Sequence, residues 1–203
     1  MAASKRYDRA YFDRWYRDPR RRIDAPGELR RRVAMAVAIA ERFLGRAIRS
    51  VLDVGCGEGR WRAELRRLRP GVGYFGVEPS AYAVERFGRR RNLIRGGFGE
   101  LPDLDLGGPF DLVVCADVLH YLDDAELERG IPALAALVGG AAYLEVLTAE
   151  DPVEGDLRGL RLRPAAQYRT RLAAAGLAAA GCHVWLCRDA AERAATLELG
   201  RAR

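Results

Sequence analysis

The run Val51-Leu52-Asp53-Val54-Gly55-Cys56-Gly57-Glu58-Gly59-Arg60 constrains this chain more than any other segment. A short, largely apolar stretch ends in glycines at alternate positions, ahead of a segment with helical character. The apolar stretch reads as a buried strand. Glycines, lacking Cβ, let the backbone turn tightly and approach a ligand closely. A helix starting near Gly59 would present unpaired N–H groups and its positive dipole end to an anionic group. A dinucleotide fingerprint requires G-x-G-x-x-G, whereas the glycines here fall at 55, 57 and 59 and Arg60 follows. Asp53 adds a carboxylate beneath the loop. It would repel a pyrophosphate and attract a cation.

Around that loop the pattern alternates. Upstream, 4–17 carries Tyr7, Tyr11, Phe12, Trp15 and Tyr16 among charges and reads as a short amphipathic helix. Residues 28–45 set Leu29, Val33, Ala36, Val37, Ala40 and Leu44 on one helical face, with Gly45 as the stop. Downstream, strands are expected at 73–77, 92–94, 110–115 and 141–147, the last entered by a Gly139-Gly140 turn. Helices are expected at 59–69, 80–87, 124–138 and 165–175, with a kink or restart at Pro132 and Gly176 as a cap. Two late strands, near 177–187 and 195–199, close the chain. Strands alternating with helices imply right-handed crossovers and a largely parallel sheet. The reading is a single α/β domain over 1–203: an N-terminal helical segment to residue 45, then a core from 46.

Composition narrows the class. With 203 residues, 49% hydrophobic and 31% charged, the chain has enough apolar material for one core without staples. The apolar runs fall short of the roughly 18 residues of a membrane helix, and the basic N-terminus does not read as a secretory signal. Cys56, Cys115, Cys182 and Cys187 show no CxxC spacing, and His120 and His183 lie far apart. No metal site is expected, and the compartment is read as cytoplasmic. The net charge of +6 is concentrated: residues 1–50 carry +8 and the rest −2. That is either a footprint for an anionic partner or a solvated helical face in an arginine-rich chain. Lys5 is the only lysine among 34 basic residues.

The second strand ends in Glu78-Pro79-Ser80, 19 residues beyond Gly59. At a strand's carboxyl edge an acid can accept the hydroxyl protons of a ribose, or simply complement the dipole of the next helix. Together, the Asp53–Gly59 loop, Glu78, the Phe110-Asp111-Leu112-Val113-Val114-Cys115-Ala116-Asp117-Val118-Leu119-His120-Tyr121-Leu122 stretch and the Gly139–Leu147 segment resemble the class I S-adenosylmethionine-dependent methyltransferases. The resemblance implies a Rossmann-like, doubly wound, seven-stranded sheet, mostly parallel with the last strand antiparallel and helices on both faces. It also implies S-adenosyl-L-methionine as cofactor and S-adenosyl-L-homocysteine as product. Gly55, Cys56, Gly57 and Gly59 would cradle the methionine part, Asp53 would help hold its ammonium group, and Glu78, beside Pro79, would take the ribose hydroxyls. The family's usual adenine-binding acid is replaced by Gly97. Phe98 lying against the ring, or Glu100 from further along, would substitute.

Ligands of open α/β sheets bind outside the carboxyl ends of the strands. By that rule Asp117, His120, Tyr121, Glu145 and Thr148–Asp151 face the pocket. His120 is the candidate base, since its ordinary pKa is near neutral, and Tyr121 accompanies it. Tyr143 reads as a wall residue and His183 as structural. The N-terminal aromatics form either a lid, with Tyr11 on the cofactor carboxylate, or a helix docked by its apolar stripe. Methyl transfer from a sulfonium needs mainly near-attack geometry, and a base only where the acceptor is protonated. The leading expectation is a small-molecule acceptor. A nucleic-acid or protein methyltransferase, and a cofactor-binding module without turnover, stand as alternatives. A nicotinamide oxidoreductase comes last because of the glycine spacing.

Overall fold

Period-two burial along the strands sorts the core into two layers. The computed structural model describes residues 5–21, 25, 27–153 and 156–195. In β1 (Ser50–Val54), Val51 points into one layer while Leu52 and Val54 point into the other. In β4 (Phe110–Ala116), Leu112 and Val114 join the first layer and Val113 and Cys115 the second. The first layer is covered by α2 (Glu28–Leu44), α3 (Trp61–Leu68), α4 (Ala81–Arg91) and α7 (Arg188–Ala191). The second is covered by α5 (Asp124–Ala136) and α6 (Ala165–Ala174), with a 3₁₀ turn at Phe98–Asp103. The sheet is doubly wound, as expected.

With β2 (Gly73–Glu78), β3 (Leu93–Arg95), β5 (Val138–Glu145), β6 (Ala178–Gly181) and β7 (Val184–Leu186), the seven strands run in the order 3-2-1-4-5-7-6. Strands 1 to 5 pair in parallel, and β7 lies antiparallel to both β5 and β6. The order reverses between β1 and β4. Their carboxyl ends open a crevice at that switch point.

Several element boundaries differ from the sequence reading. The N-terminal aromatic segment is a short α1 (Arg9–Phe12), capped by the Asp8 carboxylate, that widens into a π-helical turn over Asp13–Arg17. Helix α5 runs through Pro132 without a break, because Leu127, Ile131 and Leu134 anchor both of its halves in the core. Gly139 and Gly140 make no turn. They lie inside β5, and a Cβ on Gly140 would sit 2.6 Å from the Asp111 carbonyl oxygen, so glycine permits the close approach of β4. The expected strand at 177–187 is a hairpin, turning at Cys182 and His183 with φ of 51° and 61°. His183 therefore sits in a turn, and residues 196–199 of the other late strand lie outside the described residues.

Replacing Gly140 by alanine forces β4 and β5 apart at their amino ends. We expect a loss of about 1–3 kcal/mol in unfolding free energy, the usual cost of overpacking. Urea denaturation reads it, and an unchanged midpoint would show that the close approach is dispensable.

Candidate functional site

The crevice is a cleft of about 1000 Å³, at the upper end of the range for small-ligand sites. Its floor is the glycine loop. Gly55, Gly57 and Gly59 have φ of 71°, 55° and 68°, a left-handed backbone costly for residues with a Cβ. Only the first two line the cleft. A Cβ on Gly59 would meet Leu93 at 3.1 Å and the Tyr74 hydroxyl at 3.4 Å, so that glycine serves packing beneath the loop. Cys56 lines the cleft as expected, while its thiol turns back against Gly76.

Two buried carboxylates stand at the strand ends. Glu78 Oε2 accepts the Gly57 N–H at 2.7 Å and its Oε1 accepts the Ser80 N–H at 3.0 Å. It therefore holds the loop to β2 as well as facing the cleft. Burial pushes its pKa up, and the backbone hydrogen bonds pull the other way. One strand over, Asp53 Oδ2 accepts the Tyr74 hydroxyl proton at 2.7 Å, and burial raises its pKa to about 7. A third acid, Asp117, follows β4 directly in a left-handed conformation, φ 59°, and burial raises its pKa to about 6. A left-handed non-glycine backbone at the floor of a cleft is local strain of the kind that marks functional sites. These acids suit a ligand bearing positive charge and hydroxyls. They oppose a diphosphate.

Of the expected adenine contacts, Pro79, Gly97 and Phe98 line the cleft. The Phe98 ring packs so tightly on α5 that a Cβ on Gly130 would lie 2.2 Å from it, so it is wedged in the core and does not stand as a free platform. The Glu100 carboxylate turns back to accept the Gly97 N–H at 2.7 Å, and Glu100 is absent from the cleft lining. Glu145 and Thr148–Asp151 do not line the cleft either. Glu145 is held away by Arg32 at 2.6 Å and by the Tyr143 hydroxyl at 3.0 Å, and the Asp151 carboxylate accepts the Thr148 N–H and hydroxyl protons. Tyr143 is fully buried beside Trp61, so it is core and not wall.

His120 lines the cleft with 1% of its surface exposed. Its Nδ1 accepts the Leu147 N–H at 3.1 Å, which leaves the proton of the neutral ring on Nε2. Burial lowers its pKa to about 4. The ring is thus set to donate a hydrogen bond from Nε2. Tyr121 stands against it, ring centroids 4.4 Å apart.

The roof escaped the sequence reading in its details. Tyr7, Tyr11, Phe12, Trp15 and Tyr16 all line the cleft. A Cβ on Gly57 would lie 2.7 Å from the Tyr16 hydroxyl and 3.3 Å from the Phe12 ring. The segment is tied down by Arg17 to Glu58 at 2.5 Å and by the Ser80 hydroxyl donating to the Tyr7 carbonyl at 2.5 Å. Lys5, Arg32 and Asp156 also line the cleft, and alternating apolar and charged residues in the sequence carry no signal that distant turns will bring them together.

A family model described as a methyltransferase domain matches residues 21–189. The chain belongs to this family, the class I methyltransferases whose methyl donor is S-adenosylmethionine. It is similar to an uncharacterized protein of Synechococcus sp., 30% identical over 118 residues, which are 55% of this chain and 28% of the relative. It thus spans under a third of that relative's length. Among solved structures it resembles a sugar N-methyltransferase from Streptoalloteichus sp. at 23% identity and TM-score 0.64, covering 93% of this chain and 95% of the other. It also resembles a magnesium protoporphyrin IX methyltransferase from Synechocystis with bound S-adenosylhomocysteine, at 20% identity and TM-score 0.59, covering 84% and 86%. At these identities the likeness is one of fold.

The His120 geometry has a measurable consequence. The unfolded chain takes up the imidazole proton near pH 6.5, while the folded ring resists until about 4. The stability it contributes is present above the unfolded value and is lost as pH falls through that window. Nitrogen-15 chemical shifts should show a neutral Nε2–H ring at pH 5.5. A charged ring at that pH would overturn the assignment.

Proposed function

We propose that this chain transfers a methyl group from S-adenosylmethionine to a small-molecule acceptor inside the roofed cleft. The observation that carries the reading is the trio of acids Asp53, Glu78 and Asp117 around left-handed glycines, in a cleft of small-ligand size. When bound, the donor supplies an electrophilic methyl group on a sulfonium. Glu78 takes the ribose hydroxyls on the lone pairs that Gly57 and Ser80 leave free. Asp53 and Asp117, beside Gly55, Cys56 and Gly57, hold the cationic methionine end. Pro79, Gly97 and the Phe98 backbone border the adenine, and Tyr11 closes on the methionine carboxylate from the roof.

His120 serves as a hydrogen-bond donor that orients the acceptor, and Tyr121 walls the space beside it. The rate enhancement then rests on near-attack positioning and on exclusion of water by the aromatic roof. A small acceptor is favoured over nucleic acid because part of the N-terminal charge excess is offset by acids from the rest of the chain: Lys5 with Asp156, Arg17 with Glu58, Arg32 with Glu145 and Arg46 with Asp111. Incubation with isotopically labelled S-adenosylmethionine and fractionated metabolites, with RNA and protein fractions alongside, tests this. Label in the metabolite fractions is expected. Label confined to RNA or protein would replace the small acceptor with a macromolecule.

Glu78→Gln should weaken S-adenosylhomocysteine binding about tenfold or more, since a charged, buried hydrogen-bond partner contributes roughly 1.5–3 kcal/mol. Calorimetry that finds equal affinity would remove Glu78 from the site. Asp53, at about 7, and Asp117, at about 6, lose their protons across neutrality, and a cationic donor favours the ionised forms. Affinity for S-adenosylmethionine should therefore rise from pH 6 to 8, with protons released on binding. An affinity that falls over that range would contradict the assignment.

A further inference from the structure

The chain's single lysine is not in solvent. Lys5 Nζ lies 3.5 Å from the Tyr121 ring centroid, 5.2 Å from that of Tyr7 and 5.3 Å from that of Tyr11. Only 10% of its side chain is exposed. Asp156 Oδ2 stands 2.9 Å away, so the ammonium is held by ring faces and a single carboxylate and not by a set of acceptors. The rings hold one another: Tyr7 and Tyr11 meet edge to face at 5.0 Å, and the Tyr121 hydroxyl donates to the Asp156 carbonyl at 3.0 Å. All five residues line the same cleft as Asp53, Gly57 and Glu78.

Aromatic faces around a cation, with few acceptors for its N–H groups, form a site selective for alkylated ammonium ions. A primary ammonium leaves donors unsatisfied there, at a cost. Each added methyl group removes a donor and adds apolar contact with the rings. Lys5 is therefore a poor occupant of a site better suited to an alkylated amine.

We propose that the cage of Tyr7, Tyr11, Tyr121 and Asp156 is the acceptor's recognition subsite, that it takes a cationic alkylammonium group of the acceptor while the methyl group goes to a separate atom of that molecule bearing a lone pair, and that Lys5 fills it as an internal stand-in. The proposal rests on the methyltransferase reading of the cleft and names the class of its acceptor. Lys5 swings out by rotation of its own side chain when the amine arrives, while Tyr7, tied to Ser80, and the roof above the glycine loop, fastened at Arg17, stay in place.

Choline and its neutral carbon isostere are the probes, titrated calorimetrically into the unsubstituted 203-residue chain and into Lys5→Met. We expect Lys5→Met to bind choline about tenfold more tightly than the unsubstituted chain, and to prefer it to the isostere. Adding Tyr121→Leu to Lys5→Met should abolish that preference, and Asp156→Asn, at a loop position, should weaken it should the leucine variant fail to fold. Choline binding that is unimproved by Lys5→Met, or matched by the isostere, would make Lys5 a structural tether and overturn the cage. S-adenosylhomocysteine titrated separately keeps the two readings apart: its binding without choline binding sinks the cage alone, and its failure to bind sinks the donor site beneath.

Discussion

The carboxylate of Glu78 is the joint on which the site depends. It leaves the end of β2, crosses to the Gly57 N–H of the neighbouring crossover and also accepts the Ser80 N–H that opens α4. A buried anion is tolerated only where hydrogen bonds replace its water, and here two backbone donors do so. In return the loop is held to the end of β2. Asp53 repeats the device with the Tyr74 hydroxyl. The carboxylate that would take the donor's ribose is thus the same group that sets the loop's geometry.

Above the loop the aromatic segment closes the cleft through contact with a glycine. Any side chain at position 57 would strike Tyr16, so the left-handed backbone there serves two purposes at once. It turns the chain below and admits the roof above. The Arg17–Glu58 ion pair that fastens the roof also offsets one charge of the N-terminal excess of arginine.

Much of this was legible in the chain. The loop at Asp53–Gly59, the acid at Glu78 and the alternation of strands with helices led to the correct sheet and the correct family, because each is a local requirement of backbone conformation or strand burial. The misses share a cause. Gly139-Gly140 reads as a turn until β4 is seen pressed against it, and Gly59 reads as a cradle until Leu93 and Tyr74 are found beneath it. His120 reads as a base because its ordinary pKa is near neutral. Only the Leu147 N–H on its Nδ1 reveals which nitrogen carries the proton.

The amino-acid sequence by itself determined the strand-and-crossover order, the left-handed loop and the acids that border it, since these follow from glycine's freedom, from apolar periodicity and from position along one stretch of chain. The tertiary structure alone decided which side chains share the cleft. Lys5, Tyr121 and Asp156 meet although they are distant in sequence. Such meetings are fixed by how helices and loops pack on the sheet, and no local pattern encodes them.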